Sequence, residues 1–199
     1  MGNKMKYLVI HCADTPYDRE VTPDDICAWH KGALHNTDGT YTFLGRNYSA
    51  IQMAGKNLLF PSGKVVPAMQ TNGRGWSQVG YSDLIQRQGK TLNLVSWNMD
   101  NVIDSAEVTN GAAGYNSVSR HVCLAGGWSV DGKSKDGKID GVYVEASKLY
   151  TVQQLDSLKQ YIRIQKNICP DVIVVGHNSL STKTCPNFNV AKFLKDNQL

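Results

Sequence analysis

Three residues of this 199-residue chain have types and positions that suit a metal: His11, His177 and Cys185. His11 follows the apolar run Tyr7-Leu8-Val9-Ile10, and His177 follows Val172-Ile173-Val174-Val175-Gly176. Cys185 comes eight residues after His177, in Lys183-Thr184-Cys185-Pro186. Imidazole nitrogen and thiolate sulfur are borderline-soft donors that suit zinc, and a two-histidine, one-cysteine set leaves a tetrahedral position open for water, as in catalytic rather than structural sites. The set closes only if the two apolar runs are parallel strands whose ends emerge at the same sheet edge. A plainer reading also fits these residues: two half-buried, hydrogen-bonded histidines and a packed cysteine, not adjacent in sequence.

The elements that must position them follow from local pattern. Residues 6–10 read as a buried strand. Thr22 is a good N-cap and Pro23 suits the first helical position, with Asp24 and Asp25 at the positive end of the dipole. Ile26, Trp29 and His30 share the buried face of this helix, and Gly32 ends it. Residues 81–87 and 91–97 flank a Gln88-Gly89 turn and read as a hairpin. A strand at 120–125 runs into Gly126-Gly127. Residues 131–140 read as a charged surface loop whose acids do not match a calcium loop. Thr151-Val152-Gln153-Gln154 is a capping box opening the longest helix, with Val152, Leu155, Leu158 and Ile162 on one face. A strand at 171–176 and a final helix capped by Asn189, burying Val190, Phe193 and Leu194, complete the chain. Strands and helices alternate, so the expected fold class is α/β: a mixed central β-sheet flanked by helices on both sides. The chain reads as one domain, 1–199, with an irregular insertion at about 33–72 that holds a small hairpin around Pro61-Ser62-Gly63 and too little apolar mass for a core of its own.

Composition narrows the function classes. Hydrophobic residues are 41% and charged residues 19%, a globular and not a disordered balance. No apolar run approaches the ~20 residues of a membrane-spanning helix. The net charge of +4 is too mild to call for a nucleic-acid partner. The five cysteines are odd in number and contain no C-x-x-C pair, which argues against a disulfide framework. No signal peptide is recognisable at the N-terminus. A helix-borne H-E-x-x-H, the mark of many zinc peptidases, is missing from the sequence.

The order of motifs resembles the type 2 N-acetylmuramoyl-L-alanine amidases, especially phage lysozyme-type enzymes related to animal peptidoglycan recognition proteins. The residues that carry it are Leu8-Val9-Ile10-His11-Cys12, Trp29-His30-Lys31, Gly75-Trp76-Ser77-Gln78-Val79-Gly80-Tyr81, Gly114-Tyr115-Asn116, Cys123-Leu124-Ala125-Gly126-Gly127, and Gly176-His177 with Lys183-Thr184-Cys185-Pro186-Asn187-Phe188. The likeness covers nearly the whole chain apart from 33–72 and 131–140. It implies a zinc ion held by His11, His177 and Cys185, with Tyr81 and Lys183 as catalytic helpers. The implied reaction is hydrolysis of the amide between N-acetylmuramic acid and L-alanine in peptidoglycan, by a monomer made in the cytoplasm and acting on the cell wall after release, as phage or prophage endolysins do. In such a reaction zinc acidifies water and polarises the carbonyl, Lys183 stabilises the oxyanion, and Tyr81 donates a hydrogen bond or moves a proton. The sequence departs from the phage pattern at Ser82, Gly111 and Asn178, where relatives often carry histidine.

Two other functions share this fold: a non-catalytic peptidoglycan-binding module, against which Cys185, Tyr81 and Lys183 all speak, and a phage regulatory protein. His121 reads first as a strand residue on the sheet's polar side and second as a substitute ligand for His11. His30 reads as structural, His35 as exposed, Cys12, Cys27, Cys123 and Cys169 as small buried hydrophobes, and Asp14 and Asp83 first as solvated and second as partners behind the metal ligands. Tyr41, Phe43 and Tyr48 either pin the insertion or stack on sugar rings.

Overall fold

A computed structural model describes residues 2–199. Residues 22–80 form one compact unit and the other described residues a second. The larger unit is built on a five-stranded sheet of β1 (Tyr7–Cys12), β2 (Asp83–Ile85), β3 (Thr91–Asn93), β4 (Ser119–Leu124) and β5 (Ile173–Gly176), in the order β5-β1-β4-β2-β3. β1, β4, β5 and β2 run parallel, and β3 returns antiparallel beside β2. The mixed sheet expected from the alternating elements is therefore present, and so is the hairpin across Gln88-Gly89. The helices are α1 (Pro23–Lys31) in the smaller unit, and α2 (Val152–Ile168) and α3 (Val190–Asp196) in the larger.

Pleating divides the central strands into two sets of side chains. Leu8, Ile10 and Cys12 of β1 and Val122 and Leu124 of β4 join Leu158, Ile162, Val190 and Phe193 of α2 and α3 in one buried cluster. The capping box at Thr151 and Gln154 starts α2. Its buried face is Gln154, Leu158, Tyr161, Ile162 and Gln165, whereas Val152 is 69% exposed. At 100° per residue Val152 lies about 120° round from Leu158 and about 80° from Ile162, outside the buried stripe. Asp83 also departs from expectation. It is not solvated but fully buried on this helix-covered face, ion-paired with Arg120 at 2.7 Å and hydrogen-bonded by the Tyr161 hydroxyl. Burial pushes its carboxyl upward, and the Arg120 charge opposes that.

The smaller unit holds α1, whose N-terminus is a reciprocal capping box between Thr22 and Asp25. A three-stranded sheet (Leu34–His35, Tyr41–Phe43, Arg46–Tyr48) and the hairpin of Asn57–Leu59 with Val65–Pro67 follow. Contrary to the reading of 33–72 as coreless, Cys27, Ala33, Phe43, Met53, Leu58 and Ala68 form a small apolar cluster here. The apolar mass comes partly from α1, outside the stretch first considered. Phe43 is buried in that cluster, with Tyr41 and Tyr48 packed beside it. His30 is structural, as expected: its Nδ1 accepts the Gly80 amide at 3.0 Å and its ring stacks on Trp76. Burial holds this imidazole down at about 4, and the nearby Arg74 charge adds to the effect.

Candidate metal centre

β5 pairs parallel with β1 in a register that sets Gly176 beside Ile10, so the chain emerges from both strands at the same edge. His11 is the fifth residue of β1 and His177 opens the short turn after β5, which brings their rings to 4.7 Å between centroids. Gly176 fits because a Cβ there would lie 2.3 Å from Asn178 Oδ1 and 2.8 Å from Pro186 Cδ. That space is taken by the returning loop, which carries Cys185. The loop is held from several sides. The Asn178 amide donates to the Cys185 carbonyl at 2.7 Å, the Asn178 side chain donates to the carbonyls of Thr184 and Phe188, and the Tyr150 hydroxyl donates to the Pro186 carbonyl. Asn178, noticed in the sequence only as a missing histidine, thus laces one candidate ligand to the turn that bears another.

One donor atom from each of His11, His177 and Cys185 lies within 4.8 Å of the other two. The His11 Nδ1 to Cys185 Sγ distance is 3.7 Å. Zinc bonds of ~2.0–2.1 Å to nitrogen and ~2.3 Å to sulfur, set tetrahedrally, imply an N···S edge of roughly 3.6 Å, so this donor set fits zinc in both chemistry and spacing. The Cys12 amide donates to Cys185 Sγ at 3.2 Å. The Cys12 thiol itself belongs to the core, and hydrogen bonding with Cys185 together with burial pushes it well above its ordinary range. His177 is held below the usual imidazole value by burial and then by the charge of Lys183. Lys183 is exposed in the loop between the two candidate ligands. The half-buried Tyr81 lies with its ring 5.0 Å from that of His11, and its hydroxyl also bonds the buried Cys123 thiol.

His121 is a strand residue on the face of the sheet that carries His11. It is completely buried, on the same face as His11, and its Nδ1 lies 2.9 Å from His11 Nε2. Burial first, and the His177 charge second, lower this imidazole to about 3. It stands outside the three-donor group, which holds His11 itself. The polar character of His121 was visible in sequence. The neighbour it meets depends on strand order and was not.

The family model described as N-acetylmuramoyl-L-alanine amidase matches residues 1–188. The chain belongs to that family. Among relatives of this chain, the endolysin of Enterobacteria phage K11 is 29% identical over 126 residues, which cover 63% of this chain and 70% of that one. Among solved structures, the Ph2119 endolysin from a Thermus scotoductus bacteriophage aligns with a TM-score of 0.56 and 17% identity over 98% of this chain and 86% of its own. Drosophila PGRP-LB aligns with a TM-score of 0.52 and 20% identity over 98% and 81%. At such identities the structural likenesses establish the amidase fold and nothing finer. No helix among the described residues is long and apolar enough to cross a membrane.

Proposed function

We propose that this amidase-family chain is a zinc-dependent peptidoglycan hydrolase that cuts the amide between the lactyl group of N-acetylmuramic acid and L-alanine. The observation that carries the reading is the convergence of His11, His177 and Cys185, donor atoms within 4.8 Å, in a chain that matches the amidase family over residues 1–188. His11, His177 and Cys185 would hold the metal, which when bound supplies a Lewis acid and acidifies water. The chain's own groups do the rest. Lys183 sets a positive charge beside the site, where the oxyanion of amide hydrolysis develops. The Tyr81 hydroxyl is read as a hydrogen-bond donor to the same oxyanion. The Cys12 amide and the Asn178 bonds keep Cys185 in place. All of these groups come from one chain, so the working unit is read as a monomer, with peptidoglycan as its partner. The kinship with phage endolysins supports a protein made in the cytoplasm that reaches the wall on release.

The test is digestion of purified peptidoglycan with added zinc or with a chelator, followed by mass spectrometry and labelling of newly exposed amino groups. Free stem peptides beginning at L-alanine are expected, and they should vanish with chelator. Cys185→Ala should retain no stoichiometric zinc and lose at least ~10³-fold in rate, on the scale of removing a central catalytic group. Bound zinc with no new L-alanine termini would move the assignment to a peptidoglycan-binding module.

A further inference from the structure

Both ring nitrogens of His11 are engaged by neighbours on different sides. Nδ1 lies 3.7 Å from Cys185 Sγ, and Nε2 lies 2.9 Å from Nδ1 of His121. β4 runs parallel beside β1, with His121 opposite Val9 and Cys123 opposite His11, so His121 stands diagonally behind His11 on one face. The backbone of His121 is fixed by Ser82 in both directions: the Ser82 amide donates to the His121 carbonyl at 2.8 Å, and the His121 amide donates to Ser82 Oγ at 3.2 Å.

A short contact between two neutral imidazole nitrogens holds one proton, and its position decides what each ring can do at its far side. If the proton sits on His11 Nε2, the His11 Nδ1 lone pair is available to a metal. If it sits on His121 Nδ1, neutral His11 must carry its proton on Nδ1, and the ligand is blocked. We propose that His121 is a positioning residue for the metal centre: its Nδ1 accepts the Nε2 proton of His11 and fixes the tautomer that presents an unprotonated Nδ1 beside Cys185 and His177. This deepens the zinc reading above and rests on it.

A second observation points the same way. His121 must then carry its own proton on Nε2, and that atom is buried without a hydrogen-bond partner among the described residues. Leaving a buried donor unpaired is unfavourable, and the residue opposite His121 in register on β1 is the fully buried, apolar Val9. A histidine gains nothing there by packing. It is useful for the acceptor it offers His11, in the way that groups behind metal-bound histidines set ring tautomer and orientation.

The experiment has two parts, both on the full chain. In the metal-free protein at mildly alkaline pH, two-bond proton–nitrogen NMR correlations should show His11 protonated at Nε2 and His121 unprotonated at Nδ1. Zinc affinity, measured by competition with a chromogenic chelator, should fall 10–100-fold in His121→Leu. It should recover to within a few-fold of the parent in His121→Asn, whose Oδ1 takes the place of Nδ1, with folding of both variants checked by circular dichroism. A His11 protonated at Nδ1, or an Asn variant no better than a folded Leu variant, overturns the assignment. Should the Leu variant not fold, the tautomer in the unaltered chain still decides. Failure of the unaltered chain to bind zinc would instead overturn the metal reading itself, an outcome the tautomer measurement does not share.

Discussion

The two faces of the central sheet are made by the same strands, yet they handle buried polarity in opposite ways. On the face covered by α2 and α3, Arg120, Asp83 and Tyr161 are enclosed among apolar side chains, with Trp97 against the guanidinium at 4.0 Å. Arg120, Asp83 and Tyr161 answer one another there through an ion pair and two hydrogen bonds, although Trp97 Nε1 and both side-chain polar atoms of Gln165 are buried without a hydrogen-bond partner among the described residues. On the other face, the imidazole pair of His11 and His121 runs outward to His177 and the partly exposed Cys185, and inward to a ring nitrogen with no hydrogen-bond partner among the described residues. A network that neutralises its own charge serves the fold. One that ends in a group of soft donors can serve a ligand.

The sharpest way to break this comparison is to remove the cation from the helix-covered face. Arg120→Met leaves the Asp83 carboxylate buried without its cation and should destabilise the chain by about 3–5 kcal/mol in urea unfolding. Adding Asp83→Leu should return most of that loss, because an apolar pair replaces a buried ion pair at little net cost. Zinc affinity should change far less than in His121→Leu, and an equal loss in both would mean that the two faces are not separable. On the other face, Tyr81→Phe should lower the rate of stem-peptide release about 10²–10³-fold, the scale of one lost oxyanion donor, with zinc affinity and stability nearly unchanged. An unaltered rate would remove Tyr81 from the chemistry.

The smallest effect comes from His30 in the smaller unit, a buried histidine with no place in the metal centre. Its imidazole sits at about 4 in the folded chain against ~6.5 when unfolded. Between those values the unfolded chain binds a proton that the folded chain does not, so its contribution is intact above ~6.5 and is lost as pH falls toward 4. The slope is at most about 1.4 kcal/mol per pH unit. His30→Gln should flatten the fall in unfolding free energy over that window, measured with chelator present so that metal binding does not intrude. A slope identical to the parent's would show that His30 titrates alike in both states.

Much of this was legible locally. Thr22 and Thr151 cap helices, Gly32 ends one, and Gln88-Gly89 turns a hairpin, because each acts through groups a few residues away. The donors of the candidate metal centre were legible by type, and His30 and the buried cysteines were placed correctly. The errors share one cause. Asp83 was expected in solvent because a lone carboxylate is usually hydrated. Arg120 and Tyr161, which hold it inside, arrive from a neighbouring strand and a helix. The residues from 33 to 72 were judged without the apolar face that α1 adds.

By itself, then, the sequence determined which stretches form the main strands and helices, which faces are apolar, and that two imidazoles stand at strand ends, with a thiol eight residues beyond the second. Those properties depend on hydrogen bonds and periodicities within a few residues. Only the tertiary structure decided that β4 and β5 lie on either side of β1. That order brings to His11 one neighbour 110 positions away in the chain and another 174 away. Such pairings are set by the burial of whole faces and the register of parallel strands, so no short stretch of residues encodes them.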